Sequence, residues 1–214
     1  MTNHAKNSSS GQTDSSAAWL RLVVAVGLST IGGAGMWSFM VALPAIQADF
    51  GVGRAEASLP FTLAMIGFAG GGVLMGRLAD RFGIAVPLAL GAVLLGLGYL
   101  AVGISSSLWQ VALAHGLLIG VGCSATFGPL MADISHWFVR RRGIAVAIAA
   151  AGNYLAGTIW PPVVQHFIAA DGWRATHIGI GLFCFVATLP LVLLLRRRIE
   201  DHHSDAAGAA AARR

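Results

Sequence analysis

Six apolar segments constrain this chain more than any other feature. They cover residues 22–44, 57–79, 84–104, 108–131, 144–166 and 176–195, and in the second only Arg77 interrupts, close to one end. A helix rises 1.5 Å per residue, so about 20 apolar residues cross the ~30 Å hydrocarbon core of a bilayer. In that core every backbone N–H and C=O must find a partner within the protein, which makes the segments helices. The predicted fold is an all-α membrane bundle of six transmembrane helices. Composition agrees. Only 11% of residues are charged and the mean hydropathy is +0.73, whereas a soluble domain carries about 25% charged residues.

Little remains outside the spans. Residues 1–18 read as a polar tail, "MTNHAKNSSSGQTDSS" and two alanines, with no apolar face to bury, and disorder is expected there. Residues 199–214 read as a polar cytoplasmic tail, whose adjacent His202 and His203 have no further ligands nearby and imply no metal. The membrane domain is therefore 19–198. Its first segment is long enough to span and is followed by no small-x-small cleavage site, so it reads as a retained helix rather than a signal peptide.

Lys and Arg near helix ends collect on the cytoplasmic side. With the N-terminus inside, twelve of the 14 fall on inner loops: Lys6, Arg21, Arg77, Arg81, Arg140, Arg141, Arg142, Arg196, Arg197, Arg198, Arg213 and Arg214. Arg54 and Arg174 alone fall outside. Both termini are thus expected in the cytoplasm, in a cell membrane of the bacterial inner-membrane kind. The basic residues are spread over loops at one face instead of lining a groove, so the partner they imply is a lipid bilayer and not a nucleic acid. Trp19, Trp109, Trp137 and Trp173 sit at span edges, where indole rings lodge among headgroups. Cys123 and Cys184 lie within spans and form no CxxC or Cys/His cluster, so neither a metal site nor a disulfide framework is expected.

Polar residues inside the spans suggest which helices line a cavity. The third segment has Tyr99 as its one polar side chain and is expected to face lipid, and the sixth is nearly as plain. The first, fourth and fifth carry Ser29, Thr30, His115, Ser124, Thr126, Asn153 and Tyr154, which makes them the expected lining. Two groups of three helices, each ending in a plain one, fit a 3+3 internal repeat. The pairs Gly67/Gly71, Gly72/Gly76 and Gly116/Gly120 are spaced for close helix packing. Pro161 and Pro162 are expected to end or kink the fifth helix near the outer face, because neither donates to the helical ladder.

The loops carry the most specific signals. Between the second and third spans stands "GRLADRFG", in which Gly76 permits close packing, Asp80 and Arg81 put paired charge at the membrane face, and Gly83 allows a tight turn. This resembles the G-x-x-x-D-R-x-G motif of the major facilitator superfamily, although Ile84 and Ala85 replace the basic residues that usually follow. In that family the loop latches two six-helix halves together on the cytoplasmic side. Residues 116–165 resemble the fourth and fifth helices of the monocarboxylate-transporter-like and oxalate/formate-exchanger-like group. Gly120, Gly122, Pro129, Trp137, Phe138, Arg140–Arg142, Ala145, Ala151, Gly152 and Pro161 hold the pattern's places, and "DFGVGRAEASLPFT" resembles the group's first outer loop.

The resemblance implies secondary transport of a small organic anion, a monocarboxylate, by alternating access, as proton symport or anion exchange and without a cofactor. Family members carry about twelve spans, so the chain matches an N-terminal six-helix half, working with a second half or as a parallel homodimer. A buried carboxylate needs a cation or strong donors to offset its desolvation. No Lys or Arg is expected deep in these spans; in the family the anchoring Arg belongs to the second half.

Candidate substrate-binding residues follow from the polar positions. His115, about two turns into the fourth span, either takes part in substrate or proton binding or is a neutral histidine bonded to a neighbouring helix. Asn153 and Tyr154 touch substrate or tie helices together, and Ser124 and Thr126 line the same cavity. Trp37 and Trp160 stack on a small acid or simply pack. The gating set is Gly76, Asp80, Arg81 and Gly83, with Arg140, Arg141 and Arg142 chiefly fixing topology. A non-transporting six-helix interaction or regulatory protein is the alternative. An intramembrane serine protease would need Gly-x-Ser-Gly, whereas Ser124 sits in "GCSA"; no enzyme and no catalytic residue are expected.

Overall fold

A computed structural model describes residues 15–211, with side chains described as far as Leu195. The readings on Lys6, Arg213, Arg214 and a disordered stretch over residues 1–14 lie outside the described residues, as do those on the side chains of Arg196–Arg198, His202 and His203. Every described element is helical: α1 (Ser16–Gly32), α2 (Ala34–Phe50), α3 (Arg54–Ala57), α4 (Leu59–Phe82), α5 (Ala85–Gly103), α6 (Leu108–Leu113), a π-helical stretch (Ala114–Gly120), α7 (Val121–Ser124), α8 (Gly128–Trp137) and α9 (Arg142–Ala211). α1 begins earlier than expected. The Ser15 side chain accepts a hydrogen bond from the Ala18 N–H at 3.3 Å and caps the first turn, so residues 16–18 are helix and not tail.

Among the described residues five helical runs are long and apolar enough to cross a membrane: Ser16–Phe50, Arg54–Phe82, Ala85–Gly103, Leu108–Trp137 and Arg142–Leu195. The chain is an all-α, multi-span membrane protein. The fifth and sixth expected segments share the last run, which would extend about 80 Å as one straight helix. It is broken at Gly172, whose φ of 82° and ψ of 162° lie outside helical space. Trp160 and Phe183 meet edge to face across the break with ring centroids 5.7 Å apart, so the two limbs of α9 fold against each other.

That break corrects the expectation that Pro161 and Pro162 end the fifth helix, since α9 runs helically through both prolines. Each proline removes one ladder bond, to the carbonyl four residues earlier, and a packed membrane helix tolerates such losses. The backbone at Gly172 leaves the helix altogether.

The first limb of α9 packs on α1, where the Thr30 hydroxyl donates to Gly152 O at 3.0 Å. The second limb packs on α5, with Gly181 against Gly96 and Tyr99. α5 therefore does not simply face lipid. Tyr99 is fully buried and its hydroxyl is 2.7 Å from the Ser38 hydroxyl. Nor is the second limb of α9 plain, because Thr176, His177 and Thr188 are all buried. Two apolar clusters fill opposite ends of the bundle. One gathers Phe39, Ile46, Val102, Val111 and Trp173, the other Leu22, Leu88, Ile134, Phe138 and Leu195.

α4 meets the π-helical stretch through glycines. A Cβ on Gly67 would overlap the carbonyl of Gly116, whereas Gly72 and Gly76 have nothing within 4 Å. The Gly72/Gly76 pair thus makes no close helix contact among the described residues, contrary to expectation; it lies on the more exposed side of α4. Gly67→Ala is expected to destabilise the chain by about 1–3 kcal/mol, the usual cost of overpacking. Gly72→Ala should be neutral or stabilising, because Ala is the better helix former. Thermal unfolding of both variants in detergent checks the pair.

Candidate functional site

Between the two apolar clusters the chain is cut by the break at Gly33, which separates α1 from α2 and lies midway along Ser16–Phe50. A helix end leaves carbonyls without ladder partners. Here α7 and the two limbs of α9 supply them with donors. The Trp160 indole N–H donates to Thr30 O at 2.9 Å and the Cys123 thiol to Gly32 O at 3.2 Å, while the Cys184 thiol approaches Ile31 O at 3.8 Å. Both cysteines are free and buried.

A closed notch, too tight to admit a water molecule, lies beside this break, lined by Ser29, Gly32, Gly33, Met36, Phe68, Cys123, Thr126, Phe127 and Asn153. Small residues make the approach possible, since a Cβ on Gly32 would overlap the Thr126 side chain. Thr126 turns its hydroxyl to Cys123 O at 2.9 Å. The Trp37 indole N–H is shared between Asn153 Oδ1 at 3.1 Å and Asn153 O at 3.2 Å. With Oδ1 occupied in this way, the amide nitrogen is the free end of Asn153. Ser29 is 2% exposed and its hydroxyl has no partner. The notch thus presents hydrogen-bond donors and no fixed charge.

Of the seven substrate-binding candidates, Trp37, Thr126 and Asn153 come together here. Trp160 is tied to the same break but lines a separate apolar groove of about 580 Å³ between the two limbs of α9, with Ile31, Phe167 and Phe183. Ser124 donates to Val121 O at 2.7 Å and packs against Gly71 of α4. Tyr154 is 74% exposed, away from Gly152, which packs on α1. His115 is fully buried in the first apolar cluster, between Phe39 and His177.

The gating candidates lie together at one end of the bundle. Asp80 and Arg81 are exposed in the last turn of α4, with the Arg81 guanidinium 5.3 Å from the Phe82 ring. Gly83 closes that helix with φ of 80° and its N–H on Ala79 O at 2.8 Å. Gly76 faces open space. Arg140, Arg141 and Arg142 are exposed, and Arg142 donates to the Ser135 hydroxyl at 3.2 Å.

The sequence reading missed a buried ion pair at this end. Arg21, counted as a loop residue, stands inside α1 at 2% exposure and makes a two-pronged bond to Asp133 of α8, Nε–Oδ2 at 2.7 Å and Nη2–Oδ1 at 2.8 Å. Its guanidinium also lies 4.7 Å from the Trp137 ring. The placement of Arg21 in a loop is corrected accordingly, whereas the pair lies at the end of the bundle and puts no cation deep in a span. The signal was available, since Asp133 is an acid two residues past the apolar segment 108–131, at the same end of the bundle as Arg21. His177 was missed too, and its spacing of four from Trp173 puts both on one helix face.

A model of the Major Facilitator Superfamily matches residues 25–213. Monocarboxylate transporter 6 of Mus musculus is 35% identical over 146 residues, which are 66% of this chain and 31% of that protein. The human monocarboxylate transporter 6 is 34% identical over 146 residues, 66% of this chain and 28% of its own length. The MFS-type transporter pytF of Aspergillus terreus is 32% identical over 128 residues, 59% of this chain and 43% of that transporter. The matches therefore span less than half the length of these curated relatives. With the superfamily model matching well over half of the residues, on a multi-span helical bundle, the chain belongs to the major facilitator superfamily.

Proposed function

We propose that this chain supplies one half of a secondary transporter that moves a small organic anion, a monocarboxylate, by alternating access, as proton symport or anion exchange. In this reading the chain crosses the membrane six times, the break at Gly172 dividing α9 into two spans. Both termini lie in the cytoplasm of a bacterial cell, and the partner is a second six-helix half. The observation that carries the reading is the closed notch at mid-span, where the unpartnered Ser29 hydroxyl and the amide end of Asn153 share one lining that must widen to admit an anion. A carboxylate entering hydrocarbon loses its hydration and needs such donors. The cation that completes its neutralisation comes from the other half. The relatives named as monocarboxylate transporters support the substrate class.

Exposed Asp80, Arg81 and Arg140–Arg142 then form the face that the partner half meets and releases, and exposed Tyr154 reaches substrate only across that partner interface. Uptake of labelled lactate, pyruvate, formate and oxalate into proteoliposomes tests the proposal. Uptake is expected when a C-terminal half is co-expressed and not from the chain alone. Uptake by the 214-residue chain alone would overturn the half-transporter reading, and none in either arm would overturn transport of these anions. In the active assembly Asn153→Ala is expected to lower kcat/KM about tenfold, the loss of one hydrogen bond to a charged group.

A further inference from the structure

His115 and His177 are the two fully buried histidines among the described residues, one in the π-helical stretch and one in the second limb of α9. Each ring uses Nδ1 in the same way. His115 Nδ1 donates to Val111 O at 3.0 Å and His177 Nδ1 to Trp173 O at 2.7 Å. A carbonyl only accepts, so each neutral ring carries its proton on Nδ1 and leaves Nε2 as a bare acceptor. Both Nε2 atoms are buried and unpartnered. Neither neutral ring can satisfy the other, because both present acceptors.

The ring centroids are 6.2 Å apart. A direct N–H···N bond of about 3 Å holds two imidazole centroids no more than about 5 Å apart, so the rings are not bonded to each other directly. Water has the matching chemistry, with two O–H donors for two bare nitrogens. We propose that His115 and His177 form a single-proton site, in which one water links the two Nε2 atoms and one proton added from solvent is shared by the pair.

The surroundings limit the site to one charge. Phe39 of α2 packs edge-on against His115 at 4.8 Å, and Tyr99 of α5 and Trp173 of α9 pack against His177 at 5.7 and 5.6 Å. Tyr99 is the titratable group among these, and its hydroxyl is engaged by Ser38. Cys123 and Cys184 belong to the same cluster and point their thiols to backbone carbonyls. The charged neighbours are Arg174, whose guanidinium lies 4.4 Å from the centre of the Trp173 indole, and Asp49, with which Arg174 pairs. No carboxylate stands against either imidazole among the described residues, so a second proton would place two cations together in an apolar cluster.

A use of this site in coupling rests on the transport reading above, but its existence does not, and the test needs no transport. The full chain, with 15N-labelled histidine rings, is observed by NMR in detergent as the pH is lowered, with exposed His136 and His166 as references in the same spectrum. At neutral pH both buried rings are expected as Nδ1–H tautomers with hydrogen-bonded Nε2. On acidification their signals should move together with uptake of one proton between them. His115→Gln should abolish the response of His177, and His177→Gln that of His115. An Nε2–H tautomer in either ring, two independent titrations, or no protonation before the fold is lost would each overturn the proposal. The unsubstituted chain alone decides these outcomes even if a variant misfolds.

Discussion

Asp133→Ala is expected to destabilise the folded chain by about 3–5 kcal/mol, because it leaves the buried guanidinium of Arg21 without its counter-charge. Arg21 is the largest fully buried side chain among the described residues, and Asp133 is 16% exposed at its side chain. Nη1 of Arg21 already has no partner, so the two bonds from Nε and Nη2 to the carboxylate carry its polar compensation together with the Trp137 ring. Arg21→Met should cost less, since its partner carboxylate keeps some access to water. The double variant Arg21→Met/Asp133→Leu separates charge from packing. Replacing a buried pair by apolar residues of similar volume is often neutral or stabilising, so the double variant should recover most of the stability lost in Asp133→Ala. Chemical or thermal unfolding in detergent measures all three. If the double variant is as unstable as Asp133→Ala, the pair is not what holds α1 to α8 at this end.

Legibility in the sequence followed the periodicity and length of apolar runs. Membrane class and helical content needed only those, because hydrocarbon leaves a backbone few choices. The loops gave the superfamily, through residues such as Asp80 and Arg81 whose spacing does not depend on packing detail. What failed was the assignment of faces. Tyr99 stands alone in an apolar helix, and a lone polar residue does not tell whether its face meets lipid or a hydroxyl on another helix, here that of Ser38. Arg21 adjoins the first apolar segment and reads equally as a loop cation or a buried partner; only the approach of α8 decides. Trp37, Thr126 and Asn153 were recognised singly, but their meeting depends on the break at Gly33, whose backbone angles are those of an ordinary helix residue. The separation of His115 from that notch likewise depends on tertiary placement, since its burial against Phe39 and His177 involves two other elements.

The position with the greatest leverage on topology is one that no apolar pattern marks. Gly172→Val should destabilise the chain by about 3 kcal/mol, the upper part of the cost of holding a side-chain-bearing residue in a region that only glycine occupies freely. At φ 82° and ψ 162° a Cβ clashes with the residue's own backbone, and because nothing outside lies within 4 Å of a Cβ built there, the penalty is purely local. Relief of that strain pulls the junction toward helical angles, and a straightened α9 would separate Trp160 from Phe183 and strip the second limb from α5. Gly172→Ala should cost less, about 1–2 kcal/mol. Gly179→Ala is the control, since Gly179 is helical, has open space around it and sits seven residues away on the same limb. There alanine should be neutral or stabilise by up to about 1 kcal/mol through helix propensity. Opposite signs at the two glycines, read from unfolding in detergent, would tie the loss to the backbone at the break. Equal tolerance at both would mean that the reversal of α9 does not require the left-handed conformation at Gly172.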